Sequence, residues 1–165
     1  MTQGKFAIVD AEDYGWPSQY KWFAVKSRET FYAQRFGDGT IVGMHREIMR
    51  APKGMVCDHK NHNGLDNRKS NLRLCTNAQN LYNKMPKKGC ASRYKGVSLG
   101  NDSKTWRARI GFKGRRINLG YFADEIKAAM AYDDKAAELF GEFAYLNFPE
   151  RIELRNWIRK IIWAA

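Results

Sequence analysis

The chain has 165 residues, 29 of them Lys or Arg and 17 Asp or Glu, for a formal net charge of +12. An apolar share of 44% and an aromatic share of 13% exclude a disordered chain, and no apolar run approaches the roughly 18–20 residues of a membrane span. The length allows one ordinary domain or two small ones, and a pI of about 9.8 favours a polyanionic partner, nucleic acid being the commonest. Met1-Thr2-Gln3-Gly4-Lys5 leads into no long apolar stretch, so an intracellular protein without a secretory signal is expected. Cys57, Cys75 and Cys90 form no CxxC pair, which argues against a zinc knuckle and for reduced thiols.

Residues 1–50 read as short strands. Lys5–Asp10, Lys21–Lys26 and Thr30–Phe36 are rich in β-branched and aromatic residues. Gly37-Asp38-Gly39-Thr40 is a turn signal that lets Ile41–Met44 pair back as a hairpin. His45–Arg50 predicts a short helix stopped by Pro52. Gly54–Asp58 is then a short apolar strand ending in Asp58-His59, followed by a polar loop to Asn71 and a second strand, Leu72–Cys75. Thr76 is a good N-cap for a helix running to about Lys84.

Met85-Pro86-Lys87-Lys88-Gly89 is the best linker candidate. Beyond it Tyr94–Leu99, Thr105–Phe112 and Arg115–Leu119 predict three strands joined by turns. Ala123–Phe140 predicts a helix on the spacing of Ile126, Ala129, Met130, Ala136, Ala137 and Phe140, stopped by Gly141. A last helix over 150–165 would use Ile152, Trp157, Ile158, Ile161 and Ile162 as its apolar set.

Asp58, His59, Asn71 and Asn80 have a joint chemical reading. A neutral imidazole can take a proton from water and so prepare a nucleophile for a phosphodiester. A carboxylate and an amide oxygen are hard ligands that suit Mg²⁺ or a similar ion. An Asn inside a long loop can pin its backbone. Met44-His45-Arg46 and the run from Asp58 to Asn80 (DHKNHNGLDNRKSNLRLCTNAQN) closely resemble the HNH endonucleases, in particular their small homing branch. The resemblance covers about residues 40–84 and implies a ββα-metal finger. In it His59 is the general base, Asp58 and Asn80 are the metal ligands, and Asn71 braces the loop. The implied cofactor is a divalent metal, Mg²⁺ or alternatively Mn²⁺. The family's zinc-stapling cysteine pairs are absent, so no structural zinc is implied. His62 is either a solvated loop residue or a phosphate contact, and His45 a packing or phosphate residue or a second catalytic group. Arg68 and Arg73 are assigned to phosphate contact or loop bracing.

Residues 84–116 carry eleven basic side chains, from Lys84 to Arg116, against the single acid Asp102. Strand alternation puts Arg107 and Arg109 on one face and Trp106, Ala108 and Ile110 on the other, where the helix can cover them. The exposed face can meet phosphates and guanine edges in a major groove, which admits a β-ribbon. Tyr94-Lys95-Gly96-Val97, Trp106-Arg107-Ala108-Arg109-Ile110, Leu119-Gly120-Tyr121-Phe122, Ala128–Asp133 and Leu146-Asn147-Phe148-Pro149 resemble the plant ethylene-response-factor (Apetala-two) type of DNA-binding domain. That resemblance covers about 92–149 and implies base-reading positions at Lys95, Ser98, Arg109, Arg116 and Asn118, with Arg107 and Arg115 on the same basic surface. Several of these differ from the plant pattern, so the plant recognition sequence does not carry over.

The expected fold class is α+β: a ββα-metal nuclease module with N-terminal strands, then a three-stranded antiparallel sheet packed on one helix. The expected divisions are 1–84 (finger about 54–84), a linker at 85–91, 92–149, and a C-terminal helix at 150–165. The function implied is metal-dependent hydrolysis of double-stranded DNA by a monomer, with no membrane and no small-molecule substrate. The implied setting is the cytoplasm of a bacterial or phage-infected host cell. A non-enzymatic, sequence-specific DNA-binding regulator that keeps the finger as scaffold is the alternative, and an RNA-binding basic protein a further one.

Overall fold

The computed structural model describes residues 1–27, 29–37 and 39–164, with side chains through residue 157. In chain order the elements are β1 (Phe23–Ser27), β2 (Thr30–Gly37), β3 (Thr40–Gly43), α1 (Met44–Ile48), β4 (Val56–His59), β5 (Leu72–Cys75), α2 (Asn77–Tyr82), β6 (Val97–Leu99), β7 (Trp106–Phe112), β8 (Arg115–Phe122), α3 (Glu125–Phe140) and α4 (Pro149–Ala164). The strands form three small antiparallel sheets, β1-β2-β3, β4-β5 and β6-β7-β8, so the class is mixed α+β, as read from the sequence. The chain divides into two compact units, Met1–Asn80 and Leu81–Ala165. The turn predicted through Asp38 and the side chains of Ile158, Ile161 and Ile162 lie outside the described residues. Among the described residues no helix is long and apolar enough to cross a membrane.

In the first unit Trp22, Ala33, Met44, Ile48, Cys57 and Leu72 form the core. These residues come from the N-terminal sheet and the residue just before it, from α1 and from the β4–β5 ribbon, so the ribbon is anchored to the rest of the unit through its own apolar side chains. The strand expected at Lys5–Asp10 is not formed. Ile8 instead makes an isolated parallel bridge, donating to Leu65 O at 2.8 Å and accepting from Asn67 N at 2.7 Å. Its partner is the irregular loop between β4 and β5, which offers no continuous ladder for a strand to extend along.

In the second unit α3 covers one face of β6-β7-β8. Asp124 caps it by accepting from Lys127 N at 2.8 Å, and Gly141 ends it with φ 54°. Ala128, Ala129 and Ala136 are fully buried against the sheet, together with Ala108 and Ile110. The fit is closest at Gly96 (φ +80°), where an added Cβ would stand 1.9 Å from Tyr132 Cδ2. The buried Asp133 carboxylate accepts from Asn147 N and Nδ2 and from Phe148 N, at 2.8, 3.0 and 2.7 Å. It thereby ties the segment after α3 back to the helix. The third strand runs three residues past its predicted end, to Phe122, across a register shift between Ala108 and Arg109.

Candidate functional site

The β4–β5 ribbon pairs Asp58 with Arg73 and His59 with Leu72. Neighbouring residues of a strand face opposite sides of it, so the carboxylate and the imidazole enter different surroundings. Asp58 Oδ2 accepts from Arg73 Nε at 3.0 Å and Nη2 at 2.8 Å, and both residues are buried. The His59 ring packs 5.1 Å from His45 and 5.6 Å from Tyr32, centroid to centroid. Its Nε2 lies 3.3 Å from Asn67 Oδ1. Burial holds His59 below the ordinary histidine value, with the Asn67 hydrogen bond and the charges of Asp58 and Asp66 pulling the other way. His45 is pushed down to about 3, first by burial and then by His59 and Arg46. Both imidazoles are therefore neutral at physiological pH, the state in which a histidine can accept a proton.

The loop between the strands is held from within. Asn71 Oδ1 accepts from Asn61 N at 3.0 Å, and Asn71 Nδ2 donates to Asp66 O at 2.7 Å. Its backbone carbonyl accepts from Lys60 N at 2.9 Å, so one residue joins both ends of the loop. Asp66 accepts from Asn61 Nδ2 at 3.0 Å and takes a two-point contact from Arg68 at 2.8 and 2.7 Å, which holds its carboxyl below the usual range. Gly64 packs against β2, where a Cβ would meet Phe31 O at 2.6 Å. The ribbon then leads into a capped helix: Thr76 Oγ1 accepts from Gln79 N at 3.2 Å, and Gln79 Oε1 accepts from Thr76 N at 2.8 Å. Asn80 lies on that helix, half-buried, and its side chain hydrogen-bonds to none of the described residues. The structure thus gathers His59 and Asn71 around one loop and pairs Asp58 with Arg73. It leaves Asn80 on α2 without a hydrogen bond to any of them.

A family model for HNH endonucleases matches residues 50–82, the ribbon, its loop and α2. Over 151 residues the chain is 34% identical to "Uncharacterized HNH endonuclease L560" of Acanthamoeba polyphaga mimivirus, a match covering 88% of this chain and 76% of the relative. The chain belongs to the HNH endonuclease family. A second relative, "Protein 3.8" of Escherichia phage T7, is 30% identical over 94 residues, 56% of this chain and 76% of that protein. As an HNH endonuclease the chain is a hydrolase of DNA phosphodiester bonds, and HNH nucleases use a divalent metal. The donors here suit such an ion. A carboxylate and an amide are hard oxygen ligands, and no group of three or more His, Cys, Asp or Glu closes a cage among the described residues.

The second unit of this HNH endonuclease presents the basic face of its sheet. Arg115, Arg116 and Asn118 are exposed, and Arg107 and Arg109 are half-buried. Ser98 and Arg107 stand opposite each other on β6 and β7. Ser98 Oγ and Arg107 Nε are both buried without a hydrogen-bond partner among the described residues. Gly96, Ser98, Arg109, Gly111 and Arg116 line a shallow depression on this sheet. Lys95, assigned from sequence to the same face, sends its ammonium to Tyr82 O, and burial followed by Lys84 lowers it to about 8. Two residues beside His59, Asn67 and Tyr32, are not singled out by sequence reasoning. Asn67 had a local signal in the polar Asp66-Asn67-Arg68 triplet. Tyr32 had none, because its approach to His59 depends on how β2 packs.

Proposed function

We propose that this endonuclease is a DNA-cutting enzyme of the homing type, in which His59 is the general base, Asp58 and Asn80 hold Mg²⁺ (or Mn²⁺), and Asn71 braces the loop between β4 and β5. The observation that carries this reading is a buried, neutral imidazole at the end of β4, held by packing and a hydrogen bond, beside a buried carboxylate. When bound, the ion supplies charge neutralisation at the phosphate and at the departing 3′ oxygen. His59 takes the proton of the attacking water. Asn71 keeps His59 in place by tying the loop ends. Arg68, exposed and fixed by Asp66, stands where a backbone phosphate can approach the loop.

The divisions proposed for these roles are 1–84 for the nuclease module, 85–91 for the linker, 92–149 for an ethylene-response-factor-like targeting sheet and 150–165 for the terminal helix. Two compact units dividing after Asn80 support such a partition. One finger carries one set of catalytic groups, which supports a monomer that nicks duplex DNA inside a bacterial or phage-infected cell; both relatives are viral. A supercoiled plasmid carrying candidate sites tests the chemistry directly. Open-circular product is expected with Mg²⁺ and none with excess chelator. Equal cleavage in both lanes refutes a metal-dependent reaction.

Targeting by the sheet has its own expected result. Arg109→Ala or Arg116→Ala should lower affinity for the native site by about 1–3 kcal/mol relative to scrambled duplex, the worth of a bidentate Arg–guanine pair. Lys87→Ala with Lys88→Ala should weaken both duplexes equally and reduce the salt slope by roughly 0.9 for each phosphate the protein no longer neutralises. Binding isotherms at several salt concentrations separate the two. Parallel weakening in all variants would leave the sheet with electrostatic affinity alone.

A further inference from the structure

Two large apolar side chains of the first unit stand in solvent side by side. Phe36, near the end of β2, is 75% exposed, and Ile41, near the start of β3, is 54% exposed. The register sets them directly opposite each other. The ring of Phe23 lies 5.2 Å from that of Phe36, so three apolar groups meet at one end of the sheet. A contiguous exposed group of this kind marks an interaction surface more often than a scattered single residue does. Its place on the sheet is specific. Alternate residues of a strand share a face, so Phe36 and Gln34 lie on the same side of β2 as Tyr32. The Tyr32 ring packs 5.6 Å from His59 and 5.7 Å from His45. The exposed pair is therefore on the face of β2 that borders the catalytic ribbon. Four residues of strand span about 13 Å, the length of roughly four stacked base steps.

We propose that Phe36 and Ile41 form an apolar wedge that enters the DNA duplex at a base step a few pairs from the scissile phosphate, unstacks that step and bends the duplex at the catalytic ribbon. The inference rests on the reading that the scissile phosphate reaches His59. Two observations favour DNA over a second copy of the chain as the occupant of this face. The net charge of +12 repels a second copy and attracts a polyanion. The face also continues into Tyr32 and His59, so a duplex lying at the ribbon passes along it. The chemistry of the face fits a base stack better than a phosphate backbone. Phe23, Val25, Tyr32, Gln34, Phe36 and Ile41, which alternation and register place there, are all uncharged. They offer phosphate no cation. A flat ring and a branched aliphatic group are instead the kind of side chain that enters between base pairs, where burying them offsets the lost stacking. Such a wedge reads how easily a step opens rather than its base edges, so it favours a pyrimidine–purine step.

The test uses the full chain in chelator on a closed-circular plasmid, relaxed by a metal-independent type I topoisomerase while the protein is bound. A wedge untwists DNA, so the plasmid freed of wild-type protein is expected to be negatively supercoiled. Phe36→Ala with Ile41→Ala, loaded to the same bound amount by gel shift, should lose that shift in linking number. Phe36→Trp, which keeps a ring at the same place, should retain it. Both positions are exposed, and circular dichroism checks that the variants fold. An unshifted plasmid with wild-type protein overturns the proposal without any variant being needed. Equal shifts with wild type and double variant overturn it too. So does a wild-type dimer in sedimentation that the double variant converts to monomer with no difference in linking number, since the face then belongs to a second copy. The readout involves no cleavage and is independent of His59. If the shift depends on Phe36 and Ile41 while His59→Ala still cuts normally, the wedge stands and the catalytic assignment fails.

Discussion

His59→Ala should lower single-turnover cleavage by about 10²–10⁴, the range a positioned general base contributes, while leaving the Kd for the same duplex close to wild type. The two quantities separate because the imidazole is only 5% exposed and offers little surface to DNA, whereas the long basic side chains are elsewhere. His45 does not take over the role. Its imidazole is oriented by α1 rather than by the ribbon, and a nitrogen pushed down to about 3 is a poor proton acceptor. Gel-shift titration and quenched-flow cleavage on one labelled duplex measure both numbers. Near-normal cleavage by the variant would remove His59 from the mechanism.

The second large effect concerns stability. Arg73→Met removes a guanidinium that makes two hydrogen bonds to Asp58 inside the ribbon, between side chains that are each about nine-tenths buried. Breaking one partner of a buried pair costs about 3–5 kcal/mol, because the remaining carboxylate loses the guanidinium that balanced its charge away from water. Urea unfolding should show that destabilisation. The double variant Asp58→Leu with Arg73→Met should recover most of it, since no charge is then left behind. Added Mn²⁺ should stabilise Arg73→Met more than it stabilises the wild type, because Asp58 is then free of its competing cation. An unchanged urea midpoint in Arg73→Met would show that the pair contributes nothing to the fold, and an equal Mn²⁺ response would separate Asp58 from the metal.

Local rules made most of the elements legible. Thr76 before a polar helical run and Gly141 after Phe140 are boundary signals that depend only on neighbours in sequence. The spacing of Asp58, His59, Asn71 and Asn80 was equally local in its chemistry, and the family match spans all four together with the loop between the strands. What stayed hidden was set by distant partners. Lys5–Asp10 has strand composition, but the ladder it needed would have had to come from a loop some sixty residues away. Arg73 and Lys95 count as positive charge in any composition, yet one turns to Asp58 and the other to the Tyr82 carbonyl. Periodicity fixes which side of a strand a residue occupies and says nothing of what waits there. Asn67 illustrates the same limit, since its meaning lies in the carbonyl of Leu65 and the ring of His59, neither of which is marked in the sequence as its partner.

The ladder that sets Asp58 against Arg73 and His59 against Leu72 makes the order of two adjacent letters matter. A chain with residues 58 and 59 exchanged would have the same charge, mean hydropathy and residue count, and any score built on composition would treat the two as one. It would set the imidazole against the guanidinium and the carboxylate among two neutral rings. Both groups would be buried, and the carboxylate would lose its guanidinium. The dipeptide is therefore a directional signal: its reversal keeps the ingredients and loses both pairings.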